Sequence, residues 1–107
     1  MRKIYMLTAL TMIAMTGSAL AADAKTGRDL YLRSCRGCHG ANGEGNPAME
    51  KSLKIKIESL DAKVVQSMSD AELHKVIADG KGKMPAMSYL SSAQVDDVIA
   101  YIRSLKK

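Results

Sequence analysis

Cys35-Arg36-Gly37-Cys38-His39 places two thiols and an imidazole within one short stretch. Wound as a helix, the stretch sets Cys35 and Cys38 three positions apart on one face, with His39 one turn above Cys35. Two thiols so placed can add to the two vinyl groups of a single haem, and the imidazole that follows can reach the iron as proximal ligand. C-x-x-C-H is the spacing of such a covalent attachment site. Arg36 and Gly37 need only leave room. Two other chemistries use the same residue types. A Cys35–Cys38 disulfide, structural or redox-active, belongs in a strand–helix context with a parallel sheet, and this chain shows no alternating run of strands and helices. A tetrahedral zinc site would need both cysteines and both histidines, but His74 lies far along the chain with no ligand neighbour.

Gly80-Lys81-Gly82-Lys83-Met84-Pro85-Ala86-Met87 offers a complementary donor. Thioether sulfur is a soft ligand that suits haem iron opposite histidine. Pro85 pushes Met84 out of the helical region toward an extended conformation, and the glycines would let the loop backbone approach a haem closely. Met84 is therefore the expected axial ligand, with Met87 as the alternative, while Met49 and Met68 read as packing residues. His74 sits at the margin of a Leu73/Val76/Ile77 helix face and reads as a surface histidine. Using it as a second axial ligand would leave the Met84–Pro85 loop without a role.

These residues need elements to position them, and the chain supplies three helical patterns. From Ala24 to His39, Gly27, Tyr31, Ser34 and Cys38 share one side, with Leu30 beside Tyr31. Gly27 is costly inside a helix, which suits a close passage by another helix. The natural partner is the last helix, where Ser91 with Gln94 reads as a capping box and Val95, Val98, Ile99, Ile102 and Leu105 form an apolar stripe bordered by Tyr101. Ser69 with Glu72 opens a third helix that Gly80 ends. Residues 51–67 are harder. Leu53, Ile55 and Ile57 alternate with Lys54, Lys56 and Glu58, which suits an extended crossing over a haem edge, and 61–66 reads as one or two helical turns.

The N-terminus has the form of a secretory signal. Met1-Arg2-Lys3 is basic, residues 4–15 form an apolar run broken only by Thr8 and Thr11, and Ala19-Leu20-Ala21 is an A-x-A cleavage site. The expected organisation is a cleaved segment 1–21 followed by one domain, 22–107, delivered to the periplasm. The apolar run is too short to span a bilayer comfortably, so the cleaved chain is expected not to cross a membrane. So small a domain usually needs a staple. With two cysteines and no Trp or Phe, a covalently held haem would supply both the staple and much of the core.

Taken together, the chain resembles the class I monohaem c-type cytochromes, close to the small bacterial c-553/c-551-like and c6-like group. The resemblance covers nearly all of residues 22–107. It rests on the C-x-x-C-H site, a Gly-rich segment with proline soon after, the Gly-Lys-Gly-Lys-Met-Pro loop and a C-terminal amphipathic helix. It implies an all-α cytochrome c fold, with three to four helices wrapped around one covalent haem c, and iron held by His39 and Met84. It also implies that the Pro47 carbonyl accepts a hydrogen bond from the Nδ1–H of His39.

The function expected on this basis is one-electron transfer without catalysis, since both axial positions are filled. Two alternatives stay open. One is a haem-c subunit feeding electrons into a larger redox enzyme; the other is an open-site haem protein with peroxidase-like or small-molecule chemistry. Formal charge over the whole chain is +5; removing Arg2 and Lys3 from the 16 basic residues leaves 14 against 11 acidic ones, a formal +3. The basic residues form no stripe with interleaved aromatics, so nucleic acid is not an expected partner. Arg36, Lys81 and Lys83 neighbour the expected ligands and could ring an exposed haem edge. That would favour an acidic docking patch on a redox protein donor or acceptor. The protein is expected to be a monomer.

Overall fold

The computed structural model describes residues 21–107. The expected signal segment lies outside the described residues, apart from Ala21. Among the described residues there are six helices and no strand: α1 (Ala24–Ser34), α2 (Arg36–His39), α3 (Pro47–Leu53), α4 (Lys63–Gln66), α5 (Asp70–Asp79) and α6 (Ser92–Ser104). The all-α expectation holds. Four of these are true helices, while α2 and α4 are single turns of four residues.

The crossing of α1 and α6 organises the domain. Asp23 caps α1 by accepting from the Lys25 N–H at 3.0 Å, and its own N–H donates to Asp97 Oδ1 on α6 at 2.8 Å. Gly27 is the point of closest approach: a Cβ placed there would lie 1.8 Å from the backbone oxygen of Asp97. The close helix passage expected from Gly27 is therefore present. The α6 stripe turns inward as its period predicts, with Val95, Val98, Ile99 and Ile102 all buried. Tyr101, expected only to border the stripe, is buried too, and its ring lies 4.9 Å from that of Tyr31, tilted by 53°. Both expected capping boxes form, Ser69 with Glu72 on α5 and Ser91 with Gln94 on α6.

Two details depart from the sequence reading. The helix expected from Ala24 to His39 breaks at Cys35, whose φ of −117° closes α1 before α2 begins. Helix α3 was not expected. Asn46 caps it by accepting from the Ala48 and Met49 N–H groups, Pro47 takes its first position, and Lys54 ends it at φ 55° in the left-handed region. After that, Ile55 and Ile57 are half-buried while Lys54, Lys56 and Glu58 are exposed. The alternation is that of an extended segment, and it runs without a ladder partner among the described residues.

Candidate functional site

Residues of all six helices and the loops after α3 and α5 border an apolar cavity of about 510 Å³. Cys35, Cys38, His39, Met84 and Met87 all border it. The fold thus brings the two chemistry-bearing stretches together. Leu53, Ile77 and Val98 are among its apolar walls.

Cys35 is tied into the end of α1 by its N–H, which donates to the Tyr31 carbonyl at 2.8 Å. Its own carbonyl accepts from the His39 N–H at 3.0 Å, so thiol and imidazole stand one turn apart as the spacing predicts. Burial, with a smaller contribution from Cys38, pushes the Cys35 thiol up to about 11. A redox-active dithiol needs the opposite shift, so this environment does not suit thioredoxin-like exchange. Burial lowers the pKa of His39 and favours the neutral imidazole, which is the metal-ligating form.

The backbone around His39 is held through its carbonyls. Asn46 Nδ2 donates to the Gly37 carbonyl at 2.9 Å, and the Gly45 N–H to that of His39 at 2.6 Å. Tyr31 Oη donates to the Gly40 carbonyl at 2.5 Å and Tyr101 Oη to that of Ala41 at 3.1 Å. The bond expected from His39 Nδ1–H to the Pro47 carbonyl is not formed, and Nδ1 is buried without a partner. Pro47 opens α3, where a carbonyl serves the helix's own ladder, and the residue does not border the cavity.

Met84 is held by a two-residue reverse turn. The Lys81 N–H donates to the Met84 carbonyl at 3.0 Å and the Met84 N–H returns to Lys81 at 2.9 Å. Gly82, the first central residue, has φ 57°, the arrangement in which a II′ turn requires glycine. The glycines serve the loop's own path. A Cβ on Gly80 would meet the Met84 carbonyl oxygen at 2.7 Å, and one on Gly82 would meet nothing within 4 Å. Lys83 Nζ donates across to the Leu53 carbonyl at the end of α3. Met84 is half-buried, whereas Met87 is 8% exposed and packed in the core, its sulfur accepting from Tyr89 Oη at 3.2 Å. Met68 packs against the core as expected and also borders the cavity; Met49 does not border it.

Lys81 and Lys83 line the cavity, as does Lys56, which sequence reasoning had not singled out; Arg36 is exposed but stands outside the lining. His74 is away from the cavity, with Nε2 at 3.2 Å from Ser92 Oγ and 3.7 Å from Asp96 Oδ1. The two tyrosine tethers were also missed. Both rings sit on faces the helical period identifies, but no sequence pattern names the carbonyl a hydroxyl will reach.

The residues present fit a covalently held haem. An apolar cavity is bordered by two thiols at attachment spacing, a neutral imidazole and a soft thioether. Comparison with known proteins points the same way. The family model described as "Cytochrome C oxidase, cbb3-type, subunit III" matches residues 22–102. Cytochrome c6 of Thermosynechococcus vestitus is 35% identical over 92 residues, covering 85% of this chain and 78% of that protein. The cytochrome bc1 complex cytochrome c subunit of Corynebacterium diphtheriae is 30% identical over 88 residues, 80% of this chain but only 28% of that protein. A solved structure, the KustC0563 c-type cytochrome, superposes with a TM-score of 0.64 at 25% identity, covering 76% of this chain and 98% of that one.

Proposed function

The chain belongs to this family as a class I monohaem c-type cytochrome, and from that premise we propose that it is a periplasmic one-electron carrier. Cys35 and Cys38 would hold haem c through two thioethers, and His39 and Met84 would ligate its iron. The observation that carries the reading is the gathering of these four side chains around one apolar cavity. Haem c, when bound, supplies an iron that is stable as Fe(III) and Fe(II). His39 offers a neutral imidazole, the form its burial favours. Met84 offers a thioether, which raises the potential relative to a second histidine. Met84 is preferred to Met87 because the Met87 sulfur already accepts from Tyr89 Oη. With His39 and Met84 both on the iron, no coordination site would be left for a substrate, which suits a carrier rather than an enzyme. The apolar walls exclude water and limit reorganisation around a changing charge.

Location and partners follow from the two ends of the reading. Export and cleavage after Ala21 place residues 22–107 in the periplasm. Lys56, Lys81 and Lys83 at the cavity favour an acidic patch on a redox partner, so the rate of electron transfer should fall as salt rises, exposed charges being screened beyond about 10 Å at 0.1 M. A rate that is flat or rises with salt removes this steering. The description of the family model and the C. diphtheriae relative favour a second reading, a module that serves one larger redox complex. The coverage of the cytochrome c6 relatives favours the free carrier. A stable complex on gentle purification would decide for the module.

The test is an optical spectrum of the exported protein, oxidised and reduced. A low-spin spectrum with the weak far-red band of Met–Fe(III) ligation is expected, with haem that stays on the chain through acid-acetone extraction. A wild type that is high-spin when oxidised, without that band, overturns the carrier reading in favour of an open-site haem protein.

A further inference from the structure

Tyr31 is 0% exposed and Tyr101 6%, and each directs its hydroxyl at a backbone carbonyl rather than at solvent. The carbonyls belong to consecutive residues, Gly40 and Ala41, which follow His39 directly. The rings come from the two helices of the central crossing and lie 4.9 Å apart. An aromatic pair that served packing alone could be Phe on both sides. Here each phenol carries a donor that must find an acceptor when buried, and both find it in the segment that carries the candidate proximal ligand.

We propose that Tyr31 and Tyr101 are positioning residues for His39. Their hydroxyls pin the Gly40 and Ala41 peptides to the α1–α6 crossing and so fix the backbone from which the imidazole projects. Gly40 has φ 80° and leaves the helical path immediately after His39, so the segment is not held by helix continuation. Local bonds hold part of it, the Gly40 N–H on the Arg36 carbonyl, the Gly43 N–H on the Gly40 carbonyl and the Gly45 N–H on the His39 carbonyl, and the Tyr31 and Tyr101 bonds tie it to the helix crossing. Tyr31 acts more strongly than Tyr101, because its bond is shorter, 2.5 Å against 3.1 Å, and falls one peptide nearer the histidine. This inference rests on His39 being an iron ligand, as proposed above.

The test uses Tyr31→Phe and Tyr101→Phe in the holoprotein. Each keeps the ring and removes one hydroxyl. The Tyr31 variant should fold, because the Gly40 carbonyl still accepts from the Gly43 N–H at 3.3 Å. The first readout is amide hydrogen exchange. In Tyr31→Phe the Gly43 and Gly45 amides should exchange about tenfold faster relative to the α6 amides, with a smaller change in Tyr101→Phe. The second is the set of paramagnetically shifted His39 ring protons in the oxidised protein, which should move in both variants and more in Tyr31→Phe. An equal loss of protection throughout α1, α6 and residues 40–45, with unmoved His39 resonances, would make the tyrosines core residues only and overturn the proposal. If the wild type shows no paramagnetic shift at His39, the ligand assignment fails instead, and the two failures are told apart.

Discussion

Cys35 and His39 stand on backbone tied to the α1–α6 crossing by two buried tyrosines, whereas Met84 stands on a two-residue turn whose lysine reaches the end of α3. The first region is fixed by groups with little freedom left to lose. The second depends on an exposed, flexible side chain and a loop with Pro85 and Ala86 in solvent. The contrast matches the chemistry proposed for each. Thioether attachment is permanent and belongs on the part of the chain that does not move. Met–iron ligation is reversible, and a loop can give it up while the rest of the fold stays intact.

Replacing both Cys35 and Cys38 with alanine should have the largest effect, leaving little or no haem-bearing protein; normal yields of folded, haem-free wild type would count strongly against so central a role for the group. Gly27→Ala strikes the rigid region next. Its new methyl meets backbone rather than a side chain that could turn aside, so the holoprotein should lose about 3 kcal/mol or more in denaturant unfolding. Met84→Ala strikes the loop. It should abolish the far-red band, lower the midpoint potential and admit external ligands to the iron, while costing less stability than Gly27→Ala. Met87→Ala should keep the band. The reverse pattern in these two methionine variants would move the ligand to Met87, and a larger unfolding effect from Met84→Ala than from Gly27→Ala would dissolve the contrast between the regions. Lys83→Ala is the gentlest probe. Losing one exposed donor should cost under about 1 kcal/mol globally, yet external ligands should enter faster; unchanged entry kinetics would show that the turn holds Met84 without its lysine.

What could be read from sequence was whatever repeats with the helical period or sits at a helix start. Val95, Val98, Ile99 and Ile102 are buried because they share a face, and Ser69 and Ser91 cap because a hydroxyl three residues before Glu or Gln has few better uses. Gly27 was legible because glycine inside a helix asks for a reason. Helix α3 had its signal too: Asn46 followed by Pro47 is a strong helix opening, but the alternation of Leu53, Ile55 and Ile57 drew attention to an extended reading. The Pro47 acceptor came from resemblance, and which group a polar atom meets depends on neighbours that no local pattern specifies. The same holds for the tyrosine hydroxyls and for Arg103, whose guanidinium reaches the Gln66 and Met68 carbonyls and Asp70 on α5. A long cationic side chain on α6 gives no advance notice of which loop it will fasten.

Because Gly27 and Asp97 lie far apart in sequence, their contact closes most of the described domain into one ring. The entropy of that closure must be met before the crossing returns any burial. During synthesis the two helices emerge far apart in time, and the inner face of α1 lacks its α6 partner until residues 92–104 arrive. A chain cut short before α6 therefore keeps the complete C-x-x-C-H site but not the helix it packs on. The seam that makes the domain a domain is sewn by α6, the last of the described helices to be made.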